Sequence, residues 1–520
     1  MTISIPSGEP NYRFMRYVRP PVKDDEKLPP LFPLRPATRP LRLGIDVTTM
    51  STPPDGLLTR FLGRDEIDVQ LMISSGAAVP AAWTDLLDDP LVRQIGFTSI
   101  ENAGRLHDTV QFDVTTDGEP ERERSSVTAH FFDVYQQLDA QTAPPNSEPL
   151  TIEQRHHAAA YAAAAAAVGI DAIVTAAPTA GRSDVADNDV VASVTPDGAV
   201  ALIGHYLRMT ATPDIDVRRG SLVGGGTYVR TESTATIENL YDWGVVSNMT
   251  YFDCLPIIAA QQGDVETVTA LKSIRVRLTR AARALDNMLA ALSNPVNGKR
   301  RADVIETAAE AFDRQLLYLA AAFDIYGRRY PLLIDATRDP AKFRQSLDGK
   351  GYVKDHLRKE YDADALTDVT RLHVYAGVCK VLRNHIHDGI LPVDHHPGRS
   401  YGSSVNVALN LDAMPELAPG ADDRMIQEHY DALGVWRTDP AEVFGTPVMV
   451  ADLATAGVTL MVAGLALVEA FTKLIVRNKP QNAAAPSPLL GCVQAQPGEP
   501  EPPQPERAAF HQALFGWHSA

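Results

Sequence analysis

Residues 151–178 read "TIEQRHHAAAYAAAAAAVGIDAIVTAAP", and the fold class turns on them. Thr151 and Gln154 stand three apart, the reciprocal pair with which a capping box opens a helix. An alanine-rich run follows and stops at Gly169, where a residue without Cβ lets the chain leave the helix. "DAIVTAAP" then has the apolar continuity of a buried strand. Upstream, "LRLGIDVTTM" from Leu41, "DVQLMISSG" from Asp68, "VRQIGFTSI" from Val92 and "VQFDVTTDG" from Val110 are short β-rich runs broken by Gly, Pro and Asp. "SSVTAHFFDVYQQLDAQ", from Ser125, carries a helical period. Strands alternating with helices predict an α/β domain over residues 41–215.

Past residue 215 the helical period dominates. Helices are expected over 234–262, 264–292, 300–326, 338–347, 351–360, 364–388, 422–434 and 446–478. Long helices with short connections predict an all-α helical bundle over 216–478. The fold class is therefore α+β overall and multidomain. "LATAGVTLMVAGLALV", Leu453 to Val468, has no charge, but a spanning helix needs about 20 apolar residues. Asp452 and Glu469 bracket it, and Gly457 and Gly464 suit close helix packing, so it reads as a buried helix without membrane contact. Residues 1–40 form a Pro-rich extended arm with no apolar leader segment. Residues 479–506 hold eight prolines and read as a disordered linker. "RAAFHQALFGWHSA" (507–520) follows, with Phe510, Leu514 and Trp517 on one helical face. That face would either dock a protein partner or pack back on its own chain.

A length of 520 residues suggests roughly two to four domains, with 45% hydrophobic and 22% charged residues. A net charge of -17 argues against a general nucleic-acid coat protein, whose affinity comes from neutralising phosphates, though not against a local basic cleft. Cys254, Cys379 and Cys492 are too far apart for a disulfide framework or a zinc knuckle, and a reduced cytoplasmic setting is the default.

Several stretches could carry chemistry. "GSLVGGGT" (220–227) has a P-loop frame, but Gly226 replaces the lysine that neutralises phosphates, and a flexible hinge is expected there. Asp46, Asp171, Asp184, Asp187 and Asp189 could hold a divalent cation at strand ends, or "SDVADND" is a solvated loop. Gly169–Thr175 resembles the PIN nuclease family, which places an acidic residue soon after such a strand. Ala176, Ala177 and Pro178 stand there, which leaves a PIN-like fold without its nuclease centre. Lys272, Arg275, Arg280 and Arg283 fall within about 140° on one helix, with Lys299, Arg300 and Arg301 beyond. They form either a phosphate-guiding strip or a solvated face.

The densest signal is "CKVLRNHIHDGILPVDHHPG", Cys379 to Gly398, with four of the 14 histidines. Leu366, Val369, Leu372, Tyr375, Ala376, Cys379, Leu382 and Ile386 make the buried stripe of one helix. Arg383 and His387, at i and i+4, share a face, Gly389 ends the helix and Pro392 forbids its restart. His385, His387, His395 and His396, with Asp388 and Asp394, have ligand types for zinc, but the two histidines of His-x-His diverge around a helix. No metal and no cofactor are assigned.

"VLRNHIHDG" resembles the HEPN family, helical domains of RNA-cutting toxins and defence proteins, whose signature is an Arg, often followed by Asn, and a His near a helix end. The resemblance covers this helix and loosely the region 300–390. It implies a metal-independent RNA endonuclease with Arg383 and His387 catalytic, Asn384 orienting them, and a homodimeric site. Lys272, Arg275, Arg280 and Arg283 would bind the RNA substrate. Asp324 would steady the cluster. Only three residues separate Arg383 from His387, one fewer than the family's usual spacing, and Asp388 stands where its His is often found. The other reading is a non-catalytic scaffold that dimerises and recruits a partner through residues 507–520.

Overall fold

The computed structural model describes residues 39–54, 57–62, 66–87, 95–106, 109–116, 123–128, 150–180, 191–210, 215–222, 225–232, 241–242, 244–245, 249–293, 301–339, 344–397, 405–438, 446–482, 487–490 and 515–516. Asp184, Asp187, Asp189, Lys299, Arg300, Phe510, Leu514 and Trp517 lie outside them, as do nearly all of the Pro-rich arm and most of the linker.

The alternation in "LRLGID" places Leu41, Leu43 and Ile45 on one fully buried face of strand β1 (Leu41–Asp46). On the opposite face Gly44 leaves room for the Met72 and Ile170 side chains, one of which a Cβ would meet at 2.5 Å. From β1 the chain runs through α1 (Leu57–Leu62), β2 (Ile67–Ser74), α2 (Ala81–Leu87), β3 (Ile95–Leu106), β4 (Thr109–Thr116) and β5 (Glu123–Thr128). It continues with α3 (Ile152–Ala167), β6 (Ala172–Val174), β7 (Ser193–Val194) and α4 (Pro196–Met209). The seven strands lie in the order β5-β4-β3-β2-β1-β6-β7. The β3-β2-β1-β6-β7 part is parallel, and β4 and β5 join antiparallel to it. The sheet is thus mixed, with a parallel core and two antiparallel strands at one edge.

Helix α3 begins with the capping box of Thr151 and Gln154, and Gly169 beyond it has φ 71°. Its alanines let it lie close on the sheet face formed by Met72, Ile100, Phe112 and Val114. Ser125–Thr128, expected to start a helix, belong to β5. Pairing with β4 satisfies the backbone groups that a helix start would leave open. The described part of "GSLVGGGT" is paired strand rather than a hinge: β8 (Ile215–Leu222) and β9 (Gly225–Glu232) run antiparallel, with Gly220 opposite Thr227.

The second half is largely helical: α5 (Thr250–Gln261), α6 (Val265–Leu292), α7 (Arg301–Ile334), α8 (Tyr352–Asp355), α9 (Thr367–Asp388), α10 (Gln427–Ala432) and α11 (Leu453–Arg477). It is not all-α. Strands β10 (Val393–Pro397), β11 (Val405–Asn410), β12 (Val435–Arg437) and β13 (Met449–Asp452) form an antiparallel sheet in the order β10-β11-β13-β12. The helix expected over 446–478 therefore starts only at Leu453, where Asp452 accepts from the Thr455 amide.

Among the described residues, α11 is the one helix long and apolar enough to cross a membrane, and 67% of its most apolar window is buried inside the protein. Gly457 and Gly464 let α11 approach Met288, Leu319 and Phe323 closely. The Gln315 amide donates to the Gly457 carbonyl at 2.7 Å. Leu460, Met461, Leu467 and Phe471 are fully buried, each stabilising by roughly 1.5–3 kcal/mol.

Helix α4 joins the halves. Ten consecutive residues, Ala199 to Arg208, are buried. The sheet face of Leu41, Leu43 and Ile45 shares one continuous apolar core with α4, α6, α7, α9 and α11. Inside that seam Arg208 grips Asp286 of α6, Tyr241 donates to the same carboxylate at 2.6 Å, and Phe515 of the tail lies 4.1 Å beneath the Arg208 guanidinium.

Candidate functional site

Helix α9 ends as the sequence predicts, at Asp388 with Gly389 after it. Leu372, Ala376, Cys379 and Leu382 are buried, which turns the last-turn polar side chains outward. Arg383 is half-buried, and Asn384 and His387 are exposed. The Arg383 guanidinium donates to the Asn384 side-chain oxygen at 3.2 Å, the one partner recorded for it among the described residues. Arg383 and His387 thus lie one turn apart on an open helix end, with no carboxylate recorded against either. His385 points elsewhere, with Glu416 3.5 Å away.

The remaining histidines of the cluster separate. His395 and His396 are neighbours in β10, so their side chains leave the sheet on opposite faces. Burial lowers the His396 pKa. Among the described residues no group of three or more His, Cys, Asp or Glu could hold a metal ion. Asp324 pairs with Arg328 on its own helix at 2.7 Å.

The basic strip on α6 divides. Lys272, Arg280 and Arg283 are exposed. Arg275 instead clasps Asp242 (2.6 Å) and Asp253 (2.7 Å), which neutralise it and hold its pKa up. Arg280 lies 6.0 Å from the Tyr318 ring centroid.

A second constellation forms at the carboxyl end of β1. β1 is central: the chain departs from it toward β2 on one side, and β6 packs on the other. Loops leaving the carboxyl ends of β1 and β6 diverge at such a switch point, where open α/β sheets bind ligands. Asp46 closes β1 with its side chain buried. Its carboxylate accepts from the Thr48 amide (3.1 Å), the Thr49 hydroxyl (3.0 Å), the Thr175 hydroxyl (2.9 Å) and His157 Nε2 (2.7 Å). Burial alone would raise the Asp46 pKa, but the hydrogen bonds and charge of His157, with Thr175 and Thr49, hold it below the ordinary carboxylate value. The His157 ring packs 4.0 Å from Tyr161, whose hydroxyl meets Thr48 at 2.8 Å.

The sequence singles out Asp46 but not His157, 111 positions away. His157 and Tyr161 are spaced i, i+4 on the sheet-facing side of an alanine-rich helix, which is the signal that marks them out. Asp171, the other carboxylate of this sheet, is bound by Arg39 through two hydrogen bonds of 2.7 and 2.9 Å at the amino end of β6.

No protein-family model, curated protein or solved structure matches the chain.

Proposed function

We propose that the protein is a metal-independent RNA endonuclease of HEPN type, acting in the cytoplasm as a homodimer, with α5 to α11 as its catalytic helical bundle. What supports the reading is the placement of Arg383 and His387 on one open turn at the end of α9, the arginine held by Asn384 alone among the described residues. RNA supplies its own nucleophile. His387 takes the proton of a 2′-hydroxyl, the oxygen attacks the adjacent phosphorus, and the bond to the 5′-oxygen breaks. The products are a 2′,3′-cyclic phosphate and a 5′-hydroxyl, and the departing oxygen takes a proton from water or from His387 of a second copy. Arg383 stabilises the charge gathering on the phosphoryl oxygens, and Asn384 fixes its direction. Lys272, Arg280 and Arg283 supply mobile positive charge for the RNA strand, and Arg275 keeps the surface beneath them in place.

The test is cleavage of labelled RNA by the purified full chain in EDTA. Wild type is expected to give cyclic-phosphate ends, and Arg383→Ala and His387→Ala to slow cleavage by about 100-fold or more. Cleavage at the wild-type rate in both variants, or none by wild type, overturns the proposal.

A further inference from the structure

We propose that the surface at the carboxyl ends of β1 and β6 is a second site, in which His157 binds a hydroxyl of a neutral sugar or nucleoside ligand.

The two ends of the same strand pair are built differently. At the amino end, Asp171 is bound by the Arg39 fork, an arginine 13% exposed, and the Asp171 carboxylate also accepts from the Arg42 amide at 3.0 Å. That arrangement is a closed structural tie. At the carboxyl end, Asp46 is equally buried, but its partner is a histidine whose side chain is 23% exposed. A tie between α3 and β1 needs only one ring nitrogen. His157 has a second, Nδ1, with no protein partner recorded among the described residues, and it is not among the buried polar atoms.

The chemistry of that nitrogen follows from its neighbour. A carboxylate only accepts, so Nε2 carries the hydrogen in the bond to Asp46. Nδ1 is then the ring nitrogen left for a ligand, and a hydroxyl, which both donates and accepts, can meet it. The ring is fixed for this role by Asp46 on one side and the Tyr161 ring on the other. The Trp83 indole fastens the loop after β1, donating to the Met50 carbonyl at 2.7 Å.

The surrounding charge selects the ligand class. The described loops at the carboxyl ends of β1, β2 and β6 (residues 47–54, 75–80 and 175–180) contain no Lys or Arg. Their amides are largely engaged: those of Thr48 and Thr49 with Asp46, that of Ala176 with the Thr49 hydroxyl, and that of Ala177 with the Thr175 hydroxyl. Among the described residues of these loops a phosphate finds no cation to pair with. The exposed residues are small or hydroxyl-bearing, among them Thr48, Ser51, Ser75 and Gly76, and suit a neutral ring with several hydroxyls.

The experiment is calorimetric titration of the full chain with adenosine, D-ribose and inorganic phosphate, repeated on His157→Gln. Glutamine keeps an N–H donor for Asp46, and a thermal melt checks that the variant folds. Adenosine or ribose is expected to bind wild type at least tenfold more tightly than the variant. Binding of adenosine alone marks a nucleoside site, and binding of both a sugar site, each supporting the proposal. Binding of phosphate alone, no binding to wild type, or equal binding by a folded variant overturns it. If His157→Gln does not fold, the wild-type titration is read by the shift of the His157 ring signals on adding adenosine, and their immobility overturns the proposal.

Discussion

Arg208 and Asp286 meet through two parallel hydrogen bonds, 2.6 and 2.9 Å, with 1% and 0% of their side chains exposed. The pair joins α4 of the sheet-bearing half to α6 of the helical half. Burial disfavours both charges, yet each holds the other ionised: the Arg208 pKa is raised and that of Asp286 lowered. Tyr241 supplies a further donor, and the Asp286 carbonyl is bonded by His205 at 3.0 Å. Removing one partner leaves an uncompensated buried charge. Asp286→Ala or Arg208→Ala is expected to cost about 3–5 kcal/mol. Replacing both by apolar residues (Arg208→Met with Asp286→Leu) should cost less than either single change. Urea unfolding of the three variants measures the order, and a double variant less stable than both singles contradicts it.

Two buried imidazoles make stability depend on acidity. Burial pushes His205 down to about 4, and burial followed by Arg424 does the same to His373, from an ordinary 6.5. Both rings are neutral inside the folded protein. Between pH 6.5 and about 4 the unfolded chain binds protons that the folded chain refuses, so stability falls as pH falls through that window. The loss approaches about 1.4 kcal/mol per pH unit for each ring. Urea midpoints from pH 7.5 to 4.5 are expected to decline, and His205→Gln to decline less steeply. A flat wild-type profile would show that these rings are not buried neutral.

Phe515 is fully buried, edge-on to Tyr241 at 5.4 Å and under Arg208. Gly244 permits this, because a Cβ there would collide with the Phe515 ring. Phe515→Ala should cost about 3–5 kcal/mol if the seam unfolds with the whole protein. Gly244→Ala should mimic it by expelling the ring. Hydrogen exchange in α4 is the readout, and unchanged protection in both variants argues against tail docking.

At Gly457 of α11, a Cβ would collide with the end of the Met288 side chain. Alanine requires only that this flexible thioether move. Valine requires the helices to part, at about 1–3 kcal/mol. Thermal melts of Gly457→Ala and Gly457→Val should therefore separate, with the valine variant the lower.

Where a periodic signal was long, the structure follows the sequence. Helices α6 and α9 occupy the expected stretches, α7 runs eight residues past the expected 326 to Ile334, and α3 begins at its capping box. Short elements escape. β12 has three residues and β13 four, too few for alternation to register beside the 25-residue helix that follows. The Arg383–His387 turn was legible because a helix maps sequence spacing onto one face. The Asp46–His157 pair was not, because only the sheet brings β1 and α3 together. Arg275 resembles its neighbours in sequence, and only the fold sets Asp242 and Asp253 against it.

The complete burial of Ala199–Arg208 bears on how this chain can be divided. A cut near residue 215 leaves α4 on the N-terminal fragment with its α6-facing side bare, and leaves Asp286 on the other fragment without its counterion. Neither fragment would behave as an independent module. Shuffling the halves onto other proteins would need a substitute for α4 as well as a linker, and a genetic deletion of one half should remove the protein rather than one of its activities.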